Sequence, residues 1–101
     1  MSAQQFGDFT FDSTARRLTQ KGAEVHMPGK AIDLLTLLMA HQPEAVAKTE
    51  IHAHLWPDTY VSEVSLTTLI YELRSALGES ARRQRYVRTV HGYGYAFRSD
   101  A

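Results

Sequence analysis

The chain predicts an α+β fold in which a small antiparallel sheet precedes three helices and a hairpin closes the chain. Three observations lead there. Between residues 5 and 27, short apolar positions alternate with polar ones, the two-residue period of strands with one face exposed. From Lys30 to Gly78 the apolar period lengthens to three and four residues, as along one side of a helix. Beyond Gly78 the alternation returns around His91-Gly92-Tyr93-Gly94, the composition of a tight turn between two strands.

Each element has its own signal. Phe9 and Phe11 alternate with Asp8, Thr10 and Asp12, and Asp12-Ser13-Thr14 supplies turn chemistry before Arg16-Arg17-Leu18-Thr19-Gln20. Lys21-Gly22-Ala23 turns the chain into Glu24-Val25-His26-Met27, and Pro28-Gly29 ends the sheet. The first helix begins at Lys30 with Ile32, Leu34, Leu35, Leu38 and Met39 on a broad apolar face, and it ends near His41-Gln42-Pro43. A short helix over about 48–55 buries Ile51 and Leu55, and Trp56-Pro57-Asp58 stops it, because proline disfavours helical geometry in the residue before it.

The third helix, Ser62 to Gly78, organises the rest. Leu66, Leu69, Ile70, Leu73 and Leu77 form one stripe, which leaves Ser65, Thr67, Thr68, Tyr71, Glu72, Arg74 and Ser75 on the outward circumference. Ser62 suits the N-cap, where its hydroxyl can accept from a first-turn amide, and Gly78 suits the left-handed stop. A polar connector from Glu79 to Gln84 then leads into a hairpin of Arg85–Val90 and Tyr95–Arg98.

Composition bounds what such a chain can do. Its 101 residues, 44% hydrophobic, suit one domain over 1–101 with a core at about 5–98. There is no cysteine, so disulfides and thiolate metal sites are excluded and a reducing cytoplasm is expected. The longest nearly apolar run, Ile32 to Ala40, falls far short of the roughly 20 residues that cross a bilayer. With no charged-then-apolar leader at Met1, a soluble domain without membrane contact is expected.

Lysines and arginines number 11 and acids 11, so the net charge is zero. The distribution is uneven: residues 1–69 carry five cations and eight acids, whereas residues 70–101 carry six arginines (Arg74, Arg82, Arg83, Arg85, Arg88, Arg98) against Glu72, Glu79 and Asp100. Arginine is the side chain whose planar fork best suits phosphate and guanine edges.

A helix, a short helix and a longer helix followed at once by a hairpin is the order of a winged helix-turn-helix. There the last helix enters the DNA major groove, which admits it, and the hairpin reaches an adjacent phosphate strand or minor groove. Arginines beside that helix would release counterions from the backbone and so supply most of the affinity.

The motifs then become specific. Leu55-Trp56-Pro57-Asp58, Val61-Ser62-Glu63 with Ser65-Leu66, Ile70 with Leu73-Arg74-Ser75-Ala76-Leu77-Gly78, and Tyr86-Val87-Arg88-Thr89-Val90-His91-Gly92-Tyr93-Gly94-Tyr95 with Phe97 resemble the OmpR/PhoB-type DNA-binding domain of response regulators and of ToxR/CadC-like regulators. The match runs from about Phe6 to Phe97. The resemblance implies a four-stranded N-terminal sheet, a three-helix core, a C-terminal wing, and binding to double-stranded promoter DNA, often as a tandem dimer on paired half-sites. It implies contact with RNA polymerase through the loop of residues 56–61.

The chain departs from that family at four positions. Ala31 stands where relatives carry a first-turn glutamate and Ala47 where they carry a capping hydroxyl, losses worth about 1 kcal/mol each or less. Glu72 and His91 occupy positions that are often basic in relatives. A glutamate accepts from cytosine N4 but repels phosphate.

Candidate contacts therefore fall on two elements. In the third helix, Arg74 is the leading phosphate or base ligand, Ser65 and Thr68 suit base edges or thymine methyls, Tyr71 suits a phosphate, and Thr67, Glu72 and Ser75 complete the face. In the hairpin, Arg88 and Arg98 suit phosphate, His91 the minor groove and Tyr93 the turn beside it. Solvent exposure or edge protection accounts equally for several of these. Trp56 is expected in the core.

An enzyme is not expected. His52 and His54, two apart, diverge on a helix and lack a third ligand, and the Gly92-Tyr93-Gly94 turn lacks the third glycine and the following helix of a dinucleotide loop. No cofactor is implied. The alternative reading is a winged-helix protein-interaction module with little DNA affinity, which the neutral charge and Glu72 would suit.

Overall fold

The computed structural model describes residues 3–100. Strands β1 (Ala3–Phe6), β2 (Phe9–Asp12), β3 (Arg17–Gln20) and β4 (Ala23–Val25) form an antiparallel sheet in that order, where residues 5 to 27 were expected to form one. The register sets Phe6 opposite Phe9, Phe11 opposite Leu18 and Leu18 opposite Val25. One face of the sheet is therefore apolar, and Phe6, Phe9, Phe11 and Leu18 are buried.

Helix α1 (Gly29–His41) lies in the centre, burying Ala31, Leu34, Leu35, Leu37, Leu38 and Met39. Ala31 is fully buried, so it is a packing residue here rather than a vacated first-turn acid. No side chain caps the N-terminus, and the Pro28 carbonyl accepts from the Ala31 amide at 2.9 Å. Helix α2 (Lys48–Leu55) buries Ile51 and Leu55. The ammonium of Lys30 donates to the Leu55 carbonyl, occupying an orphan acceptor at the end of α2. Trp56 is partly buried against the core, near the place expected for it.

Helix α3 (Glu63–Ala76) buries Leu66, Leu69, Ile70 and Leu73 as expected, and Leu77 just beyond its end. Ser62 holds the N-cap position in extended geometry, but its hydroxyl makes no capping bond. Its carbonyl instead accepts from the Ser65 amide at 3.0 Å. At the other end Gly78 adopts φ +74°. The Gly78 amide donates to Ser75 O at 3.1 Å and the Glu79 amide to Arg74 O at 2.7 Å, the paired bonds of a Schellman stop that only a left-handed residue permits.

Strands β6 (Val87–Val90) and β7 (Gly94–Phe97) form the hairpin, beginning two residues later than expected. The hairpin is not alone: β5 (Val46–Ala47), with no sequence signal, pairs with β7, giving the order β5-β7-β6. This third strand ties the hairpin to the start of α2. At the base of the hairpin Phe6, Tyr86 and Phe97 pack with ring centroids 4.9 to 6.0 Å apart, joining it to the N-terminal sheet.

The β5–β7 contact depends on a missing side chain. A Cβ on Gly94 would stand 1.9 Å from the Val46 carbonyl oxygen and 3.0 Å from Ala47 Cα, so backbone would have to move. Gly94→Ala is expected to cost about 1 to 3 kcal/mol, read as a lower urea midpoint at an unchanged m-value.

Candidate nucleic-acid interface

Helix α3 and the hairpin are locked together through Arg74. Its Nε and Nη2 donate to the Val87 carbonyl at 3.2 and 3.0 Å, and Nη2 also donates to Thr89 Oγ1 at 2.8 Å. Its guanidinium carbon lies 5.9 Å from the Tyr95 ring centroid, within cation–π range. Only 5% of the residue is exposed. Desolvation by burial lowers its pKa from the usual arginine value, against opposing attraction from Tyr95 and Glu79.

This overturns the placement expected for Arg74. It does not project outward toward phosphate; it gives its Nε and Nη2 donors to β6. Arg74 stands four residues after Ile70 and three before Leu77, which puts it on the edge of the apolar stripe. That spacing was the available signal, and the charge of the residue type concealed it.

The remaining outward residues of α3 lie as expected. Thr67, Thr68, Tyr71 and Ser75 are exposed, and Ser65 and Glu72 are half-buried on one flank. The Thr67 hydroxyl donates to the Glu63 carbonyl at 3.2 Å, leaving its methyl outward. Among the described residues, the side chains of Ser65, Thr68, Tyr71, Glu72 and Ser75 have no hydrogen bond, ion pair or ring contact. Val64, three and four positions before Thr67 and Thr68, joins this face at 69% exposure. Sequence reasoning missed it, although its position outside the leucine stripe marked it.

Lys48 sets the turn of the hairpin beside the start of both recognition-motif helices. Its amide donates to the Tyr93 carbonyl at 3.0 Å, and its ammonium lies 3.3 Å from Glu63 Oε2. His91 and Tyr93 are exposed in that turn. Below it, the Glu79 carboxylate accepts from the Tyr86 amide at 2.5 Å and the Val87 amide at 3.2 Å, and Gln84 Oε1 accepts from the Thr89 amide at 2.8 Å. The connector thus aligns β6, a role its polar composition did not reveal.

Arg88 and Arg98 are exposed but not gathered onto α3. Val87 and Thr89 carry the atoms that meet Arg74, so strand alternation turns Arg88 to the other face of the ribbon. Its Nε donates to the Arg85 carbonyl at 3.4 Å, and Arg98 pairs with Asp100 at 3.4 Å. With Arg74 withdrawn, the exposed face of α3 carries no cation. Among the described residues no group of three or more histidine, cysteine or acidic side chains is placed to hold a metal, and no helix is long and apolar enough to cross a membrane.

The family model described as "Transcriptional regulatory protein, C terminal" matches residues 22–97. The chain belongs to this family. As a member of it, the chain is 35% identical over 92 residues to the transcriptional regulator HilA of Salmonella typhimurium, covering 91% of this chain and 16% of HilA. It therefore spans about one sixth of that relative's length. Among solved structures, the Thermotoga maritima response regulator DrrB, an OmpR/PhoB homologue, superposes with a TM-score of 0.87 at 29% identity, over 95% of this chain and 44% of DrrB. The Klebsiella pneumoniae RstA DNA-binding domain, solved in complex with the RstA box, gives a TM-score of 0.86 at 25% identity over 98% of this chain and 99% of that one. The fold is the α+β winged helix-turn-helix of this family.

Arg74→Met keeps the aliphatic bulk but leaves the Val87 carbonyl without its donor. The expected loss is about 1 to 3 kcal/mol, measured by chemical denaturation. An outward phosphate ligand would leave stability unchanged and only flatten the salt dependence of DNA binding.

Proposed function

We propose that this chain binds double-stranded promoter DNA sequence-specifically as the output domain of a bacterial transcriptional regulator in the cytoplasm. Helix α3 lies in the major groove and the β6–β7 ribbon lies on the adjoining backbone or minor groove. The observation that carries this is the outward face of α3, fixed beside the hairpin turn, on which the side chains of Ser65, Thr68, Tyr71, Glu72 and Ser75 have no intramolecular partner. RstA, solved on its DNA box, has this fold over nearly the whole chain.

The chemistry of the face suits base edges more than phosphates. The methyls of Val64, Thr67 and Thr68 suit thymine C5-methyl groups, and the hydroxyls of Ser65 and Ser75 suit either donors or acceptors in the groove. Tyr71, 69% exposed, has the reach for a phosphate. Apart from Tyr71, affinity for the backbone falls to residues outside α3: Arg82, Arg83, Arg85, Arg88 and Arg98, with His91 and Tyr93 at the hairpin turn.

Two further contacts belong to the same proposal. Tyr60 is 95% exposed in the loop of residues 56–61, which with His52, Ala53 and Glu63 lines an open depression of about 400 Å³. We assign RNA polymerase contact to this loop. Two copies would occupy tandem half-sites.

The cation-free face of α3 also fits the alternative, a protein-interaction module, and one titration separates them. Selection from a random duplex pool is expected to enrich a motif, and log affinity for it is expected to fall linearly with log salt by about 0.9 per phosphate contact. No binding at low salt would leave the interaction module as the function. His91→Arg is expected to tighten binding and to steepen the salt slope by about 0.9. In a transcription assay, Tyr60→Ala is expected to lower output at unchanged DNA affinity.

A further inference from the structure

Resting on that DNA-binding role, we infer that Glu72 is the residue of α3 that selects one base pair, by accepting a hydrogen bond from the N4 amino group of a cytosine in the major groove.

The first support is a partner that is missing. Four acidic residues among the described residues are half-buried: Asp12, Asp33, Glu72 and Glu79. Asp12 accepts from the Thr14 and Ala15 amides at 3.0 Å, Asp33 pairs with Arg16 at 2.7 Å, and Glu79 accepts from the Tyr86 and Val87 amides. Glu72 alone of the four has no partner. Its carboxylate oxygens are not sealed from solvent, so a donor supplied by a ligand can reach them and meets no intramolecular competitor.

The second support is position. Glu72 lies seven residues from Ser65 and four from Thr68, so the three form one line along the helix. At about 1.5 Å of rise per residue that line is about 10 Å long, roughly three base steps. Two residues separate Glu72 from Arg74, a rotation of about 200°. Glu72 therefore sits on the flank away from the hairpin, where no arginine of the ribbon meets it.

The third is chemistry. An ionised carboxylate only accepts. In the major groove guanine presents N7 and O6 and thymine O4, all acceptors, so both are rejected. Adenine offers N6 but places the acceptor N7 beside it, which would face the second carboxylate oxygen. Cytosine offers N4 with no acceptor next to it on the same base.

The test is selection from a random duplex pool with the intact chain and with Glu72→Ala and Glu72→Gln, each checked for an unchanged denaturation midpoint. The wild type is expected to prefer C·G at one position by about five- to a hundred-fold. Glu72→Ala should lose discrimination there alone while binding random duplex more tightly, and Glu72→Gln should shift that position toward adenine, whose N6 and N7 suit an amide. If both variants keep the wild-type preference at every position, this inference is overturned while DNA binding stands. If the wild type enriches nothing, the DNA-binding role fails and takes the inference with it.

Discussion

The bonds of Arg74 fix helix α3 to strand β6. A recognition helix and a hairpin are useful together only when their relative position is set before DNA arrives, since ordering them on binding would subtract from affinity. Arg74 sets it by spanning 13 and 15 residues of sequence to two groups of β6, the Val87 carbonyl and the Thr89 hydroxyl. Burial makes the arrangement strict: a guanidinium removed from water must keep its acceptors. Glu79 and Gln84 hold the same strand from the connector, and Lys48 holds the turn. The interface is therefore built on three anchored points.

Spending an arginine inside the fold changes the electrostatics of the outside. The chain is neutral overall, and the face of α3 proposed to meet DNA carries only an anion. Backbone attraction must then come from the flanks, whereas α3 contributes methyls, hydroxyls and a carboxylate. Such a face gains little from phosphate at random sites and gains its energy from the correct base edges. On the proposed binding mode, low non-specific affinity with sharp discrimination is the expected consequence.

Much of this was legible in the sequence, and what was not has identifiable causes. The helices were legible because Leu34, Leu35 and Leu38, and Leu66, Leu69, Ile70 and Leu73, repeat at the helical period. The hairpin was legible from its glycine-punctuated turn. Strand β5 was not, because two residues carry no period and its pairing depends on the absence of a side chain at Gly94, far along the chain. Arg74 was misplaced because residue type outweighed spacing, and its partners lie in another element. Glu79 and Gln84 looked like solvated connector residues because backbone amides, their actual partners, leave no mark in a sequence. Ser62 marked the start of α3 correctly although its hydroxyl does not cap it.

The uncovered side of α3, held against the hairpin by Arg74, is the surface proposed to meet DNA. Backbone amide chemical shifts recorded while the domain is titrated with its selected duplex decide whether it does. The largest changes are expected along residues 64–75 and in the hairpin turn at residues 91–93, with the N-terminal sheet unaffected. Changes confined to the N-terminal sheet or to residues 56–61, with α3 silent, would contradict it.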